Sequence, residues 1–222
     1  MSVSEYIPIW EQLSKEHRSV LEHAVTKQHI ASGTVVHNGK DDCFGVLVIV
    51  QGQLRVYTMS EEGKEITLYR LWNRDICLFS ASCMLQSIEF DVTIQAEQDT
   101  EFYHIPVDTY KHLMKESAPL ANYTNEIMAS RFSDVMWLMD QILYKRQDSR
   151  MAAFLLEESD ISGEMELKLT HEEIAHHLGS AREVVTRMLK YFQTEGIVSL
   201  SRGNIKIVNR NKLVDVARDS IR

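Results

Sequence analysis

Residues 169–208 read LTHEEIAHHLGSAREVVTRMLKYFQTEGIVSLSRGNIKIV, and this stretch decides the fold of the C-terminal third of the chain. Thr170, followed three residues later by Glu173, forms a capping box that predicts the start of a helix. Gly179 ends that helix, because glycine readily takes the left-handed conformation of a tight turn. A second helix is predicted over 180–192. Two short helices joined by a glycine turn indicate a helix-turn-helix.

The predicted second helix has one apolar face and one polar face. The apolar residues that recur at helical spacing are Val185, Met188, Leu189 and Phe192. The polar face carries Arg182, Glu183, Thr186, Arg187 and Lys190. Arginine can donate two hydrogen bonds to guanine and glutamate can accept one from cytosine, so this face suits the major groove of DNA.

The segment after Gly196 predicts a β-hairpin. It reads IVSLSRGNIKIV, in which Arg202-Gly203-Asn204 forms a tight turn between two strands. A hairpin in this position is a wing beside the helix-turn-helix. Arg202 and Lys206 on the wing are expected to contact DNA phosphates.

The distribution of charge removes an apparent conflict with DNA binding. The chain of 222 residues has a formal net charge of −8. The segment up to Lys145 holds 12 Lys and Arg against 20 Asp and Glu, whereas the rest holds 12 of each. Within 179–212, seven basic residues stand against two acidic ones. The predicted helix-turn-helix therefore offers a basic surface, although the whole chain is acidic.

The remainder of the chain predicts a β-domain followed by a long helix. Residues 1–30 have the spacing of an amphipathic helix. Short β-rich runs separated by glycine turns then fill roughly 30–106, which indicates an antiparallel sandwich or barrel. A long helix follows after Pro119 and reaches about Lys145. Along it, apolar residues at steps of 4, 3, 4 and 3 predict a dimer seam formed by Met128, Phe132, Val135, Met139 and Ile142.

An alternative interpretation of this seam is packing of the helix on its own domain. The absence of any run of 18 apolar residues argues against a membrane span. The start MSVSEYIPIWEQL lacks the features of a secretory signal, and three cysteines do not indicate a disulfide framework. We therefore expect a cytoplasmic protein.

Residues 169–208 resemble the DNA-binding domain of the CRP/FNR family of bacterial transcription regulators, and the order of the domains resembles that family along nearly the whole chain. The resemblance implies an α+β fold: a double-stranded β-helix (jelly-roll) sensor domain over 1–118, a dimerisation helix over 119–146 and a winged helix-turn-helix over 147–222. Gly52 stands where the family has a glycine between strands of the roll.

The resemblance also implies a function. It predicts a homodimer that binds double-stranded DNA at an inverted repeat with half-sites similar to TGTGA, and that works with RNA polymerase. By motif position, Arg182, Glu183 and Arg187 match the base-reading residues of the cyclic-AMP receptor type. The full set of expected DNA contacts is Ser180, Arg182, Glu183, Thr186, Arg187, Lys190, Arg202 and Lys206.

The effector is unknown from the sequence. Members that bind cyclic nucleotides hold the phosphate with an Arg-Ser pair, but Phe90 and Asp91 occupy those places here, which argues against cyclic AMP. Cys43, Cys77 and Cys83 are too few for a four-thiolate iron–sulfur cluster, and none lies near the N-terminus. The stretch around Cys83 faintly resembles the haem loop of the carbon monoxide sensors. Ser80 stands where the haem-binding histidine should be, which argues against haem.

Two interpretations of Cys77 and Cys83 stay open. The thiols can form a reversible disulfide or react with an oxidant, which would make them redox sensors. They can instead be small buried residues of the roll, as free cysteines commonly are.

The sequence argues against two other classes of function. The segment beginning at His171 resembles the zinc-protease motif HExxH, but Ala175 occupies the place of the second histidine, so no metal site and no enzyme is predicted. The histidines here are expected to face solvent. The second class is a ligand or redox sensor that acts through protein contacts without DNA, and the paired arginines on the predicted second helix argue against it.

Overall fold

The computed structural model describes residues 2–39, 43–84 and 91–221, with the side chains of 82–84 left out. The chain divides into two compact units. The first comprises residues 1–59 and 68–135, and the second comprises 60–67 and 136–222. The prediction of a β-domain, a long helix and a C-terminal helix-turn-helix is confirmed.

The first unit is built on two antiparallel sheets. Its strands are β1 (Thr26–Ile30), β2 (Val35–Asn38), β3 (Val46–Gln51), β4 (Leu54–Met59), β5 (Glu65–Leu71), β6 (Ile76–Cys77), β7 (Thr93–Ala96) and β8 (Thr100–Ile105). One sheet has the order β1-β8-β3-β6 and the other the order β2-β7-β4-β5. Inward-facing residues of both sheets, such as Leu47, Ile94 and Phe102, are fully buried in a shared core. The two sheets pack face to face through these residues, which makes the first unit a sandwich.

A second apolar cluster joins the outer face of the first sheet to helices. These are α1 (Lys15–Ala24), α2 (Val107–Glu116) and the beginning of α3 (Ala118–Tyr144). Leu21, Leu113 and Leu120 are buried in this cluster. The hydroxyl groups of Tyr110 and Thr124 share a hydrogen bond of 2.8 Å between α2 and α3.

The prediction of one helix over residues 1–30 is wrong in extent. Two short 3-10 helices precede α1, which ends at Ala24, and the chain then enters β1. The backbone NH groups of Thr26–Ile30 pair with β8, a partner distant in the sequence. Pairing of this kind overrides the local helical spacing, because strand formation depends on tertiary context.

The second unit contains four helices and a small sheet around one core. Its elements are α4 (Gln147–Ser162), β9 (Glu166–Leu167), α5 (His171–Leu178), α6 (Arg182–Thr194), β10 (Val198–Ser201), β11 (Asn204–Ile207) and α7 (Arg210–Ala217). The core gathers residues from all of these elements, including the fully buried Met151, Leu189 and Leu213. In the part of the chain that the structure describes, no helix combines the length and the apolar character that crossing a membrane requires.

Gly52 provides a test of the packing in the first unit. Its φ is +101°, and an added Cβ would lie 2.5 Å from the carbonyl oxygen of Asp99. Gly33 is the matched control, because its φ is +84° but nothing lies within 4 Å of an added Cβ. We expect Gly33→Ala to lower the free energy of unfolding by about 1–2 kcal/mol. Gly52→Ala should lower it by a further ~1–3 kcal/mol, because backbone must move. Urea unfolding measures both, and equal losses would contradict the packing argument.

Candidate DNA-binding interface

Helix α5 is fixed at both ends by the residues that the sequence singled out. The hydroxyl of Thr170 accepts a hydrogen bond from the backbone NH of Glu173 at 3.2 Å. In return, the carboxylate of Glu173 accepts one from the backbone NH of Thr170 at 2.6 Å. Gly179 closes the helix in the left-handed conformation, with φ at +62°. The predicted capping box and glycine turn are therefore present.

Helix α6 is held by its apolar face. Val185, Leu189 and Phe192 are fully buried in the core of the second unit, next to Ile174 of α5. Each fully buried side chain of this size contributes about 1.5–3 kcal/mol relative to an exposed one. Burial of this face fixes the rotation of α6, so the opposite face must point outward.

The exposed face of α6 brings five of the predicted DNA contacts together. They line a shallow surface groove of about 480 Å³ and are Arg182, Glu183, Thr186, Arg187 and Lys190. Three of the five are cationic and one is anionic, so the groove has a net positive charge. A polyanion such as a DNA strand fits this charge and this open shape.

A salt bridge links the start of α6 to α5. Nε of Arg182 lies 3.8 Å from a carboxylate oxygen of Glu172, and the Arg182 side chain is 66% exposed. An exposed pair of this kind is weak, at about 0–1 kcal/mol. The Arg182 guanidinium can therefore leave Glu172 for a base edge or a phosphate at little cost.

The expectation that the histidines face solvent is wrong for His171 and His177. Nδ1 of His171 lies 2.8 Å from the hydroxyl of Thr186, so a hydrogen bond joins α5 to the groove of α6. Burial, followed by the nearby charges of Arg182 and Lys190, lowers the pKa of His171. His177 stacks on Phe154, with ring centroids 5.0 Å apart. Helical spacing alone gives no signal for such contacts between elements.

The wing is present where the hairpin was predicted. Strands β10 and β11 pair in antiparallel register, with Ser201 opposite Asn204. Arg202 lies in the turn and Lys206 on β11, and both are exposed. The sequence did not predict β9, which adds a third strand by pairing with β11. A strand of two residues carries too little pattern to be recognised.

Ser180 does not lie with the other expected DNA contacts. It is 8% exposed, and its hydroxyl accepts a hydrogen bond from the side-chain amide of Gln147 on α4. Its backbone NH donates to the carbonyl of Ala175 at 2.9 Å. Ser180 thus belongs to the packing of the turn that follows α5.

The predicted dimer seam is exposed over part of its length. Phe132, Met139 and Ile142 are 68%, 46% and 46% exposed, whereas Met128 packs on the two apolar clusters of the first unit. Val135 is half-buried. The apolar residues at steps of 4, 3 and 4 that are most open to solvent are Phe132, Met136, Met139 and Leu143. This series keeps the heptad spacing and shares Phe132 and Met139 with the predicted seam.

Cys77 has the properties of a structural thiol. It is free and 1% exposed, and burial raises its pKa, which disfavours the reactive thiolate. The side chain of Cys83 and the whole of Phe90 lie outside the described residues, so the predictions made for them stay untested. Among the described residues, no group of three or more His, Cys, Asp or Glu side chains is arranged to hold a metal ion.

Comparison with known proteins agrees with this architecture. Residues 27–117 match the cyclic nucleotide-binding domain family, and residues 149–216 match the family of Crp-like helix-turn-helix domains. A regulator from Eubacterium rectale, assigned to the CRP/FNR family and known from a crystal structure, is 55% identical. The comparison covers 96% of this chain and 99% of that one, with a TM-score of 0.95. The chain belongs to the CRP/FNR family.

Other members of the CRP/FNR family are more distant. The fumarate and nitrate reduction regulatory protein of Yersinia pestis is 29% identical over 202 residues, which cover 86% of this chain and 78% of that protein. The transcriptional regulator SdrP of Thermus thermophilus is 27% identical over 177 residues, which cover 76% and 82% of the two chains. The protein is thus a transcription regulator and not an enzyme, as the sequence predicted.

The two faces of α6 should respond differently to mutation. Leu189→Ala removes a fully buried side chain, so we expect the free energy of unfolding of this CRP/FNR regulator to fall by about 2–5 kcal/mol. Arg187→Ala changes an exposed side chain, so the loss should stay within about 0.5 kcal/mol. Denaturant unfolding followed by circular dichroism measures both. A large loss in Arg187→Ala would mean that the polar face has a structural role.

Proposed function

We propose that this CRP/FNR regulator binds DNA specifically, as a homodimer, at an inverted repeat with half-sites similar to TGTGA. The observation that supports the proposal is the groove of α6, in which Arg182, Glu183 and Arg187 are exposed on a helix held rigidly by its buried face. Arginine can bind guanine O6 and N7 with two hydrogen bonds, and glutamate can accept from cytosine N4. Arg202 and Lys206 on the wing would add phosphate contacts.

The dimer would place two copies of α6 on successive major grooves. If a two-fold axis along α3 relates the two protomers, each protomer contacts one half-site. The two half-sites are then expected to form an inverted repeat. We place this interaction in the cytoplasm, with RNA polymerase as the partner that the bound dimer influences. The relatives named above, all transcription regulators, support this role.

The signal sensed by the β-domain is proposed to differ from cyclic AMP. Asp91 stands where the family has the serine of the phosphate-binding pair, and its carboxylate would repel a phosphate. A redox signal through Cys77 would require local opening of the sheet, because the thiol is buried and its pKa is raised. Oxidation is therefore best tested as a condition of the DNA-binding experiment.

Selection of duplexes from a random pool by the purified protein tests the function. The selection is run under reducing and then oxidising conditions at constant salt. A palindrome with TGTGA-like arms would support the proposal, and a yield that depends on oxidation would favour the cysteines as sensors. Recovery of no sequence under either condition would count against DNA binding and favour a sensor that acts through protein contacts.

Substitution on the polar face of α6 should change the base specificity of DNA binding. Arg187→Ala is expected to lose about 1–3 kcal/mol of discrimination at one G·C pair of each half-site, because a bidentate contact is removed. Lys206→Ala is the control for a phosphate contact and should weaken binding equally on all sequences. Fluorescence anisotropy with singly mutated duplexes measures both effects. A uniform loss in Arg187→Ala would reassign Arg187 to the phosphate backbone.

Substitution on α3 should separate the dimer. Phe132 is 68% exposed in the single chain and belongs to the predicted seam. Phe132→Glu would bury a charge against the partner helix, so we expect a monomer at micromolar concentration. Val20→Glu on α1 is the control, because Val20 is also partly exposed but lies outside the seam. Sedimentation velocity distinguishes the two states, and a Phe132→Glu dimer would exclude this helix face as the interface.

A further inference from the structure

His171 lies at the edge of the proposed DNA interface although it belongs to α5. Its Nδ1 atom is 2.8 Å from the hydroxyl of Thr186, which lines the groove of α6. The residue is half-buried rather than enclosed. In helix-turn-helix proteins the first helix crosses the phosphate backbone while the second enters the major groove. A side chain that leaves the first helix beside the second is placed to meet a phosphate.

The charges around the ring favour its neutral form in the free protein. From α6, Arg182 and Lys190 face His171, and together with burial they hold its pKa below the ordinary value. On its own helix, the carboxylate of Glu172 is engaged with Arg182 and His176. The carboxylate of Glu173 is engaged with the backbone NH of Thr170. The neutral imidazole is therefore favoured in the free protein.

We propose that His171 is a phosphate-binding residue of the DNA interface and that it gains a proton when DNA binds. The proposal rests on the proposed function, since it assumes that α6 enters the major groove. A phosphate placed beside the ring would supply a negative charge that favours the protonated imidazole. Protonated imidazole donates from both nitrogens, so Nδ1 keeps its bond to Thr186 while Nε2 donates to a phosphate oxygen.

Proton uptake gives the interaction a defined dependence on pH. The pKa of His171 would be higher in the complex than in the free protein, so binding is strengthened as pH falls through the complex's pKa towards that of the free protein. Above the pKa of the complex, protonation of His171 adds nothing to the affinity for DNA. Below the pKa of the free protein, its contribution to the affinity is complete. Each unit of difference between the two pKa values corresponds to about tenfold in affinity for each protomer.

The experiment measures the dissociation constant by fluorescence anisotropy between pH 6.0 and 8.5 at constant salt. The probes are a duplex obtained by selection and a random duplex of the same length. The variants are His171→Gln, which can keep the hydrogen bond to Thr186 but cannot be charged, and His171→Arg, which is charged throughout. His23→Gln replaces an exposed histidine on α1 and serves as the control.

The wild type and His23→Gln should bind at least about tenfold more tightly at pH 6.0 than at pH 8.5. His171→Gln should lose this gain on both duplexes, because a phosphate contact does not depend on sequence. His171→Arg should bind tightly with a flat pH profile. Calorimetry at pH 7.5 in two buffers of different ionisation enthalpy should show proton uptake by the wild type and less by His171→Gln.

Equal pH profiles for the wild type and His171→Gln would overturn the proposal, as would equal proton uptake by the two proteins. A loss in His171→Gln confined to the selected duplex would also overturn it, since that result assigns the ring to base recognition. These outcomes differ from failure of the proposed function, in which the wild type binds neither duplex at any pH. Failure of that kind would remove the basis of both proposals.

Discussion

The burial of one face of α6 against α5 is the constraint on which the proposed interface depends. Val185, Leu189 and Phe192 leave water together, and no rotation of the helix keeps all three buried while turning its arginines inward. The polar face is thus set by the apolar one. The capping box and the turn at Gly179 place α5 so that this packing is possible. Because packing already fixes α6, its polar face would lose little conformational entropy on binding DNA.

In the first unit, too, the burial of apolar faces fixes the arrangement of the elements. Its two sheets bury Leu47, Ile94 and Phe102 between them, and a second cluster attaches helices to the outer face of one sheet. Helix α3 begins in that cluster, and farther along it Phe132 and Leu143 have most of their surface in solvent. Contiguous exposed apolar residues at heptad spacing are typical of a helix that pairs with another copy.

Electrostatics explains how an acidic chain can serve as a DNA-binding protein. The excess of carboxylates lies upstream of Lys145, whereas Arg182, Arg187 and Lys190 gather in one groove. A phosphate responds mainly to charges within about 10 Å at moderate salt, so the local balance outweighs the distant one. The charges of Arg182 and Lys190 in this groove also act, after burial, to lower the pKa of His171.

The sequence by itself determined the elements whose signal is local. Three of these signals each occupy a few consecutive residues: the capping box of Thr170 and Glu173, the glycine turn and the hairpin around Gly203. Helical spacing assigned the two faces of α6. The resemblance to the CRP/FNR family added the order of the domains. The proposed base-reading residues Arg182, Glu183 and Arg187 therefore follow from the sequence, and they lie together in the groove.

Only the tertiary structure decided the features that depend on contacts between distant segments. Residues 26–30 became a strand because β8 offers backbone partners, although their local spacing resembled a helix. Ser180 turned inward to Gln147, Met128 packed on the β-domain, and His171 reached Thr186. Helical or strand periodicity indicates which face of an element is apolar. It does not indicate which side chain of another element packs against that face, because those contacts depend on the packing of the whole unit.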